Sequence, residues 1–128
     1  MVGRGEHLLV VDDDHDIAAM CKEGFEILGY QVDVFTSSTQ ALEYFKTCYQ
    51  DIDLVVTDQT MPEMTGIELA REMMDIWPDL PVILCSGYAA SINNEAVVKA
   101  GIQRFVMKPV TVDLLSRDIQ MLLNPQAV

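Results

Sequence analysis

The amino-acid sequence predicts an α/β domain, a parallel five-stranded sheet covered by helices on both faces. Three features carry that prediction. Short runs of consecutive apolar residues, such as those within His7–Val11 and Leu54–Thr57, read as strands buried on both sides. Amphipathic stretches with recognisable start and stop residues alternate with these runs. The 128 residues, 50% of them hydrophobic, suffice for one ordinary core and are too few for two.

After a flexible lead over residues 1–6, the first strand is His7–Val11, ending abruptly in Asp12, Asp13 and Asp14. A helix follows from Asp14 to about Leu28. Asp14 and Asp16 suit its positive N-terminal end, Ile17, Met20, Cys21 and Leu28 form its apolar side, and Gly29 stops it. Gln31–Phe35 is the second strand. Ser37 or Ser38 caps a helix to about Tyr49, with Ala41, Leu42 and Phe45 at core spacing. The third strand, Leu54–Thr57, runs into Asp58, and Pro62 and Gly66 then force a turn. Thr65 caps a helix carrying Ile67, Leu69, Ala70 and Met73, which Trp77 and Pro78 close. Pro81–Cys85 is the fourth strand, and Ser86, Gly87 and Tyr88 begin a loop. Asn93 or Asn94 caps a short helix ending at Gly101, Arg104–Met107 is the fifth strand, and Thr111 opens a final amphipathic helix stopped by Asn124 and Pro125. One domain over residues 7–124 results, with residues 125–128 as a tail.

Composition excludes several classes of function. Twenty Asp and Glu against 8 Lys and Arg give a formal net charge of −12, which phosphate backbones and anionic lipids would repel. Direct binding to nucleic acid or membrane is therefore not expected. The apolar runs are too short to span a bilayer, and the first residues lack the apolar core of a signal peptide, so a cytoplasmic location is expected. Cys21, Cys48 and Cys85 are odd in number and widely spaced, so they read as reduced thiols. His7 and His15 read as surface residues.

In a parallel sheet the C-terminal ends of all strands share one edge, where such folds bind ligands. That edge collects Asp12 and Asp13 from the first strand, Asp58 from the third, Ser86 from the fourth and Lys108 from the fifth. Taken singly, these residues are a helix-start acid cluster, a turn aspartate, a loop hydroxyl and a solvated lysine. Together they have a chemistry. Three carboxylates repel one another unless a cation compensates them, and Mg²⁺ suits a site of a few carboxylates, a backbone carbonyl and water. Asp58 can then act as a nucleophile toward a phosphoryl group and become an acyl phosphate. Lys108 supplies a mobile positive charge and Ser86 a hydroxyl donor to the transferred oxygens.

Over nearly its whole length the sequence resembles the receiver domain of two-component response regulators. The resemblance rests on Leu9–Asp14, on Asp58 followed by Met61–Gly66, on Val82–Gly87 and on Phe105–Pro109, in that order and spacing. It implies a (βα)5 flavodoxin-like three-layer sandwich with strand order 2-1-3-4-5, and phosphorylation of Asp58 by a sensor histidine kinase or histidine phosphotransfer protein. It implies metal ligation by Asp13 directly, by Asp12 largely through water, by Asp58, and by the Thr60 carbonyl. Ser86 would contact the phosphoryl group, Lys108 would pair with it, and Phe105 would be the aromatic switch. A cis peptide before Pro109 is implied as well. Thr60 and Tyr88 occupy positions that tune dephosphorylation in the family, and Tyr88 is expected to restrict attacking water. Gln59 and Ser86 depart modestly from the family's usual apolar residue and threonine.

These features imply a phosphorylation-controlled switch in a two-component phosphorelay, read out on the face of the fourth helix, fifth strand and fifth helix. Such a domain is regulatory and not an enzyme, although it assists its own phosphorylation and dephosphorylation. Its output would be a downstream protein target or attached kinase domains. With no room for an effector after the last helix, either a single-domain regulator or a receiver cut from a larger protein is expected, and the wording around Asp58 and Cys85 and the Gly3–Glu6 lead resemble C-terminal receivers of hybrid sensor kinases. A haloacid-dehalogenase-type phosphatase also uses Asp, a hydroxyl, Lys and Mg²⁺. Its D-x-D-x-[TV] motif after the first strand, however, is not met by Asp12–Asp16. A phosphate-independent interaction module of receiver fold would have no need of the intact acceptor, acidic pair, hydroxyl and lysine.

Overall fold

The computed structural model describes residues 4–87, 101–108 and 111–124. Its elements run β1 (His7–Val11), α1 (His15–Ile27), β2 (Gln31–Phe35), α2 (Ser38–Cys48), a 3₁₀ turn (Tyr49–Asp51), β3 (Leu54–Asp58), α3 (Gly66–Ile76), β4 (Val82–Ser86), β5 (Arg104–Met107) and α4 (Val112–Leu123). The five strands form one parallel sheet in the order β2-β1-β3-β4-β5. This is the predicted order. The expected helix between Asn93 or Asn94 and Gly101 lies outside the described residues, as do Tyr88 and Pro109.

Strand alternation divides the interior in two. Leu9, Val11, Val55, Val82 and Leu84 face one side and pack on Phe45 of α2 and Leu69 and Met73 of α3. Leu8, Val10, Leu54, Val56 and Ile83 face the other and pack on Phe25 of α1 and Leu115 and Ile119 of α4. Phe25 and Phe45 are both fully buried, and truncating either to Ala would cost about 3–5 kcal/mol. No helix among the described residues is long and apolar enough to cross a membrane.

Local chemistry accounts for the helix ends. Asp14 caps α1, its carboxylate accepting from the amides of Asp16 and Ile17 at 2.9 and 3.2 Å. Gly29, with φ +98°, ends it in the left-handed conformation that glycine adopts without strain. Ser37 caps α2, and Thr65 with Glu68 forms a reciprocal capping box on α3.

The structure corrects two expectations. The buried stripe of α1 is Ala18, Cys21 and Phe25, spaced by three and four residues, which leaves Met20 44% exposed. An apolar side chain adjacent in sequence to Cys21 is rotated off the core stripe. β5 is an edge strand, as the expected order implies, and Arg104 and Met107 on it are exposed. His7 is no surface residue: its ring is largely covered and its Nε2 lies 2.6 Å from Asp33 Oδ2. Asp33 also accepts from the hydroxyl of Tyr44. His15 is exposed, as expected.

Candidate functional site

β1 and β3 are neighbours, yet the chain leaves β1 toward β2 on one side and continues from β3 toward β4 on the other. Their C-terminal ends therefore flank a crevice of the kind in which open α/β sheets bind ligands. Asp12 stands just past β1, buried, with Oδ1 accepting from the Asp14 amide at 3.0 Å. Its own amide donates to the Phe35 carbonyl at 3.1 Å, which ties it to the end of β2. Asp13 faces solvent, while Asp14 is taken up by capping. Three successive aspartates thus do three different things.

Asp58 is the last residue of β3, not the first of the loop, and Ser86 likewise closes β4. Ladder pairing holds both, Asp58 opposite Cys85 and Ser86 opposite Met107. Asp58 is 7% exposed and Ser86 fully buried. Lys108 follows β5, and its amide donates to the Ser86 carbonyl at 2.7 Å, which aims the side chain back across the sheet edge. Its Nζ lies 3.1 Å from Asp12 Oδ2 and 3.1 Å from Asp58 Oδ1. One lysine therefore bridges the two buried carboxylates.

Oxygens of Asp12, Asp13 and Asp58 come within 4.8 Å of one another. Burial raises the pKa of Asp58, the Lys108 hydrogen bond opposes this, and the charges of Asp12 and Asp13 raise it further. For Lys108, burial would lower the pKa, but the Asp12 charge and the hydrogen bonds to Asp58 and Asp12 outweigh it and raise it. Lys108 is therefore charged at neutral pH. A single lysine against three carboxylates leaves an excess of negative charge. All-oxygen donors with one ligand open to solvent fit a hard divalent cation such as Mg²⁺ better than a soft metal.

The loop from Gln59 to Thr65 leaves β3 and enters α3. Gly66 makes the tight return possible, since a Cβ there would stand 2.3 Å from the Asp58 carbonyl oxygen. Gln59 explains its departure from the apolar residue usual at that position. Its carbonyl accepts from the Gly66 amide at 3.0 Å and its side-chain oxygen from the Ile67 amide at 2.9 Å, so it caps α3 from outside. Thr60 is exposed in the middle of the loop, Met61 is buried beneath it, and Phe105 is half-buried against the α2 and α3 core.

Sequence reasoning missed two further features. Cys21 and Cys85 line, with Val56, a cavity of about 20 Å³ under Asp12, Asp58 and Lys108. Burial pushes their thiols up to about 11 and about 12, so both are neutral at physiological pH and form an inert floor. The second is a contact between the loop and α2. Glu63 accepts from the hydroxyls of Ser37 and Thr39 at 2.6 and 2.8 Å.

The chain belongs to the response regulator receiver domain family, which matches residues 8–120. It is 34% identical over 103 residues to the response regulator SaeR of Staphylococcus epidermidis, an alignment covering 80% of this chain and 44% of that protein. The chain thus spans less than half the length of this curated relative. A response regulator receiver domain protein from Clostridium thermocellum superposes with a TM-score of 0.88 at 34% identity, covering 95% of this chain and 97% of that one. The response regulator TrrA from Thermotoga maritima, solved in complex with Mg²⁺–BeF, superposes with a TM-score of 0.82 at 30% identity, covering 92% and 99%.

Proposed function

We propose that this domain is the phosphoacceptor switch of a two-component phosphorelay, with Asp58 as the acceptor. The observation that carries the reading is the convergence of Asp12, Asp13, Asp58 and Lys108 at the β1/β3 crevice. A carboxylate oxygen of Asp58 attacks the phosphorus of a phosphohistidine, the nitrogen–phosphorus bond breaks, and an aspartyl phosphate forms. Lys108 is placed to follow the transferred oxygens, because its ammonium already contacts a carboxylate oxygen of Asp58. Mg²⁺ would be held by Asp12, Asp13, Asp58 and the Thr60 carbonyl, and when bound it neutralises excess carboxylate charge and orients phosphoryl oxygens.

Ser86 donates its hydroxyl to the phosphoryl group. Its backbone is tied to Lys108, so its movement is felt at β5 and at Phe105. Phosphorylation then biases a two-state equilibrium in the face that includes β5 and α4. The phosphoryl donor is a sensor histidine kinase or histidine phosphotransfer protein. The target is a downstream protein or kinase domains attached to the same chain, as in a hybrid sensor kinase. The working location is the cytoplasm, and the folded unit is residues 7–124.

Acetyl phosphate with Mg²⁺, followed by intact mass, tests the acceptor. The wild type should gain one phosphoryl group and Asp58→Asn none. An equal adduct on both would sink the assignment, as would no adduct on the wild type together with no beryllofluoride binding.

A further inference from the structure

The Glu63 contact belongs to none of the chemistry above. Glu63 lies three residues beyond Thr60 and is itself exposed, between the buried Met61 and the half-buried Met64. Its two carboxylate oxygens are nonetheless divided between two hydroxyls of another element, Ser37 Oγ at 2.6 Å and Thr39 Oγ1 at 2.8 Å. Those hydroxyls stand 3.1 Å apart, and Ser37 at the same time caps α2 by accepting from the Gln40 amide at 3.3 Å. The carboxylate therefore sits at the positive end of α2, where its charge is favoured. The two hydrogen bonds hold its pKa below the ordinary glutamate range.

The loop is otherwise fixed at its base by Gln59 and in its middle by the buried Met61. Glu63 adds the outer tether. The segment carrying Thr60 is thereby bound to the β2–α2 junction, which also holds Asp12 through the Phe35 carbonyl. Both walls of the crevice are thus referenced to one point.

We propose that Glu63 is a positioning residue: by bridging Ser37 and Thr39 it holds the 59–65 loop so that the Thr60 carbonyl is presented toward Asp12, Asp13 and Asp58. The proposal rests on the phosphoacceptor reading for its metal, but the tether itself is a property of the metal-free chain. Exposed hydrogen bonds of this kind contribute little to global stability. Loss of the tether should therefore be felt in the loop and not in the unfolding transition.

The test uses the full 128-residue chain as wild type, Glu63→Ala, Glu63→Gln, Thr39→Val and the double variant Glu63→Ala/Thr39→Val. Isothermal titration with Mg²⁺ should show Glu63→Ala weakened roughly 3- to 10-fold, at or below the usual range for outer-shell partners. Glu63→Gln should recover most of this, because an amide can accept from one hydroxyl and donate to the other. Thr39→Val should weaken binding to a smaller degree and add nothing to Glu63→Ala. Amide hydrogen exchange over residues 60–65, measured without metal, should quicken in Glu63→Ala while the melting temperature stays put. Unchanged exchange and Mg²⁺ affinity in Glu63→Ala, or full additivity with Thr39→Val, would overturn the proposal. A wild type that takes up no Mg²⁺ defeats the phosphoacceptor reading and the metal part of this one. The exchange data would still decide whether the tether exists.

Discussion

Oδ1 of Asp58 lies 3.1 Å from Nζ of Lys108, and the contact does not fully offset the burial of Asp58. Burial, opposed by Lys108 and reinforced by Asp12 and Asp13, leaves the native pKa of Asp58 above its ordinary value of 3.8. Between that value and the native one, the folded protein binds more protons than the unfolded chain. Stability therefore falls as pH rises through this window. Asp58→Asn has no such window. In metal-free buffer at pH 7 it should be more stable than the wild type, by on the order of 1 kcal/mol, with the advantage shrinking as pH falls toward 4. Urea denaturation in the presence of a chelator checks this, and a wild type at least as stable as Asp58→Asn at pH 7 would contradict it.

The α3 start should tolerate no side chain at position 66. A Cβ on Gly66 would meet the Asp58 carbonyl oxygen at 2.3 Å and a Leu84 methyl at 2.6 Å. Neither the strand backbone nor a fully buried leucine can yield cheaply. Gly66→Ala should cost about 1–3 kcal/mol and slow labelling of Asp58 by acetyl phosphate. Gly87→Ala is the control, because nothing lies within 4 Å of its added carbon. Similar urea midpoints for the two variants would refute the close-approach argument.

The parallel sheet and the edge that gathers Asp12, Asp58, Ser86 and Lys108 were legible because strands buried on both faces leave continuous apolar runs, and the chemistry must follow their ends, whereas the strand order 2-1-3-4-5 came from the resemblance to receiver domains. What escaped was set by geometry between distant residues. Met20 looked like core because it neighbours Cys21, and only the true stripe of Ala18, Cys21 and Phe25 shows it turned outward. The covered ring of His7 depends on Asp33, 26 residues away on β2. Glu63 meets Ser37 and Thr39 across separations of 26 and 24 residues, and exposed polar pairs leave no periodic trace in a sequence. Gln59 carried the one local signal, a polar residue at a position usually apolar in the family, and its capping of α3 explains it.

The outward turn of Met20 has a functional consequence. With Ile27, 77% exposed, it edges an open groove along α1 that Gly24 and Val112 also line. α1 begins beside the acidic pair, so on the phosphoacceptor reading proposed above a protein that brings a phosphohistidine to Asp58 is expected to cover part of this helix. Met20→Glu should slow transfer from a phosphotransfer protein that labels the wild type, by roughly tenfold if one anchoring contact is lost. Labelling by acetyl phosphate and the urea midpoint should stay unchanged, within about 0.5 kcal/mol for the latter. Equal transfer rates to both proteins would place the donor elsewhere.

On the β2 edge, Asp33 joins His7 to Tyr44, and the sign of its titration can be worked out. Burial would raise the Asp33 pKa, but hydrogen bonds from Tyr44 and His7 outweigh it and hold the carboxyl below its ordinary 3.8. A depressed native value means stabilisation that is present above the ordinary pKa and lost as pH falls through the native one. Tyr44→Phe removes the larger of the two hydrogen bonds while keeping the ring packed on Phe35, whose centroid lies 5.0 Å away. At pH 7 the variant should lose up to about 1 kcal/mol, a modest figure because the Asp33 side chain is 40% exposed and solvent screens it. The difference from wild type should narrow below about pH 4, because without the Tyr44 hydrogen bond Asp33 takes up its proton in the variant before it does in the wild type. Urea midpoints at pH 7 and pH 3.5 measure it. A gap that stays constant between them would mean that the Tyr44 hydroxyl acts through some group other than the Asp33 carboxylate.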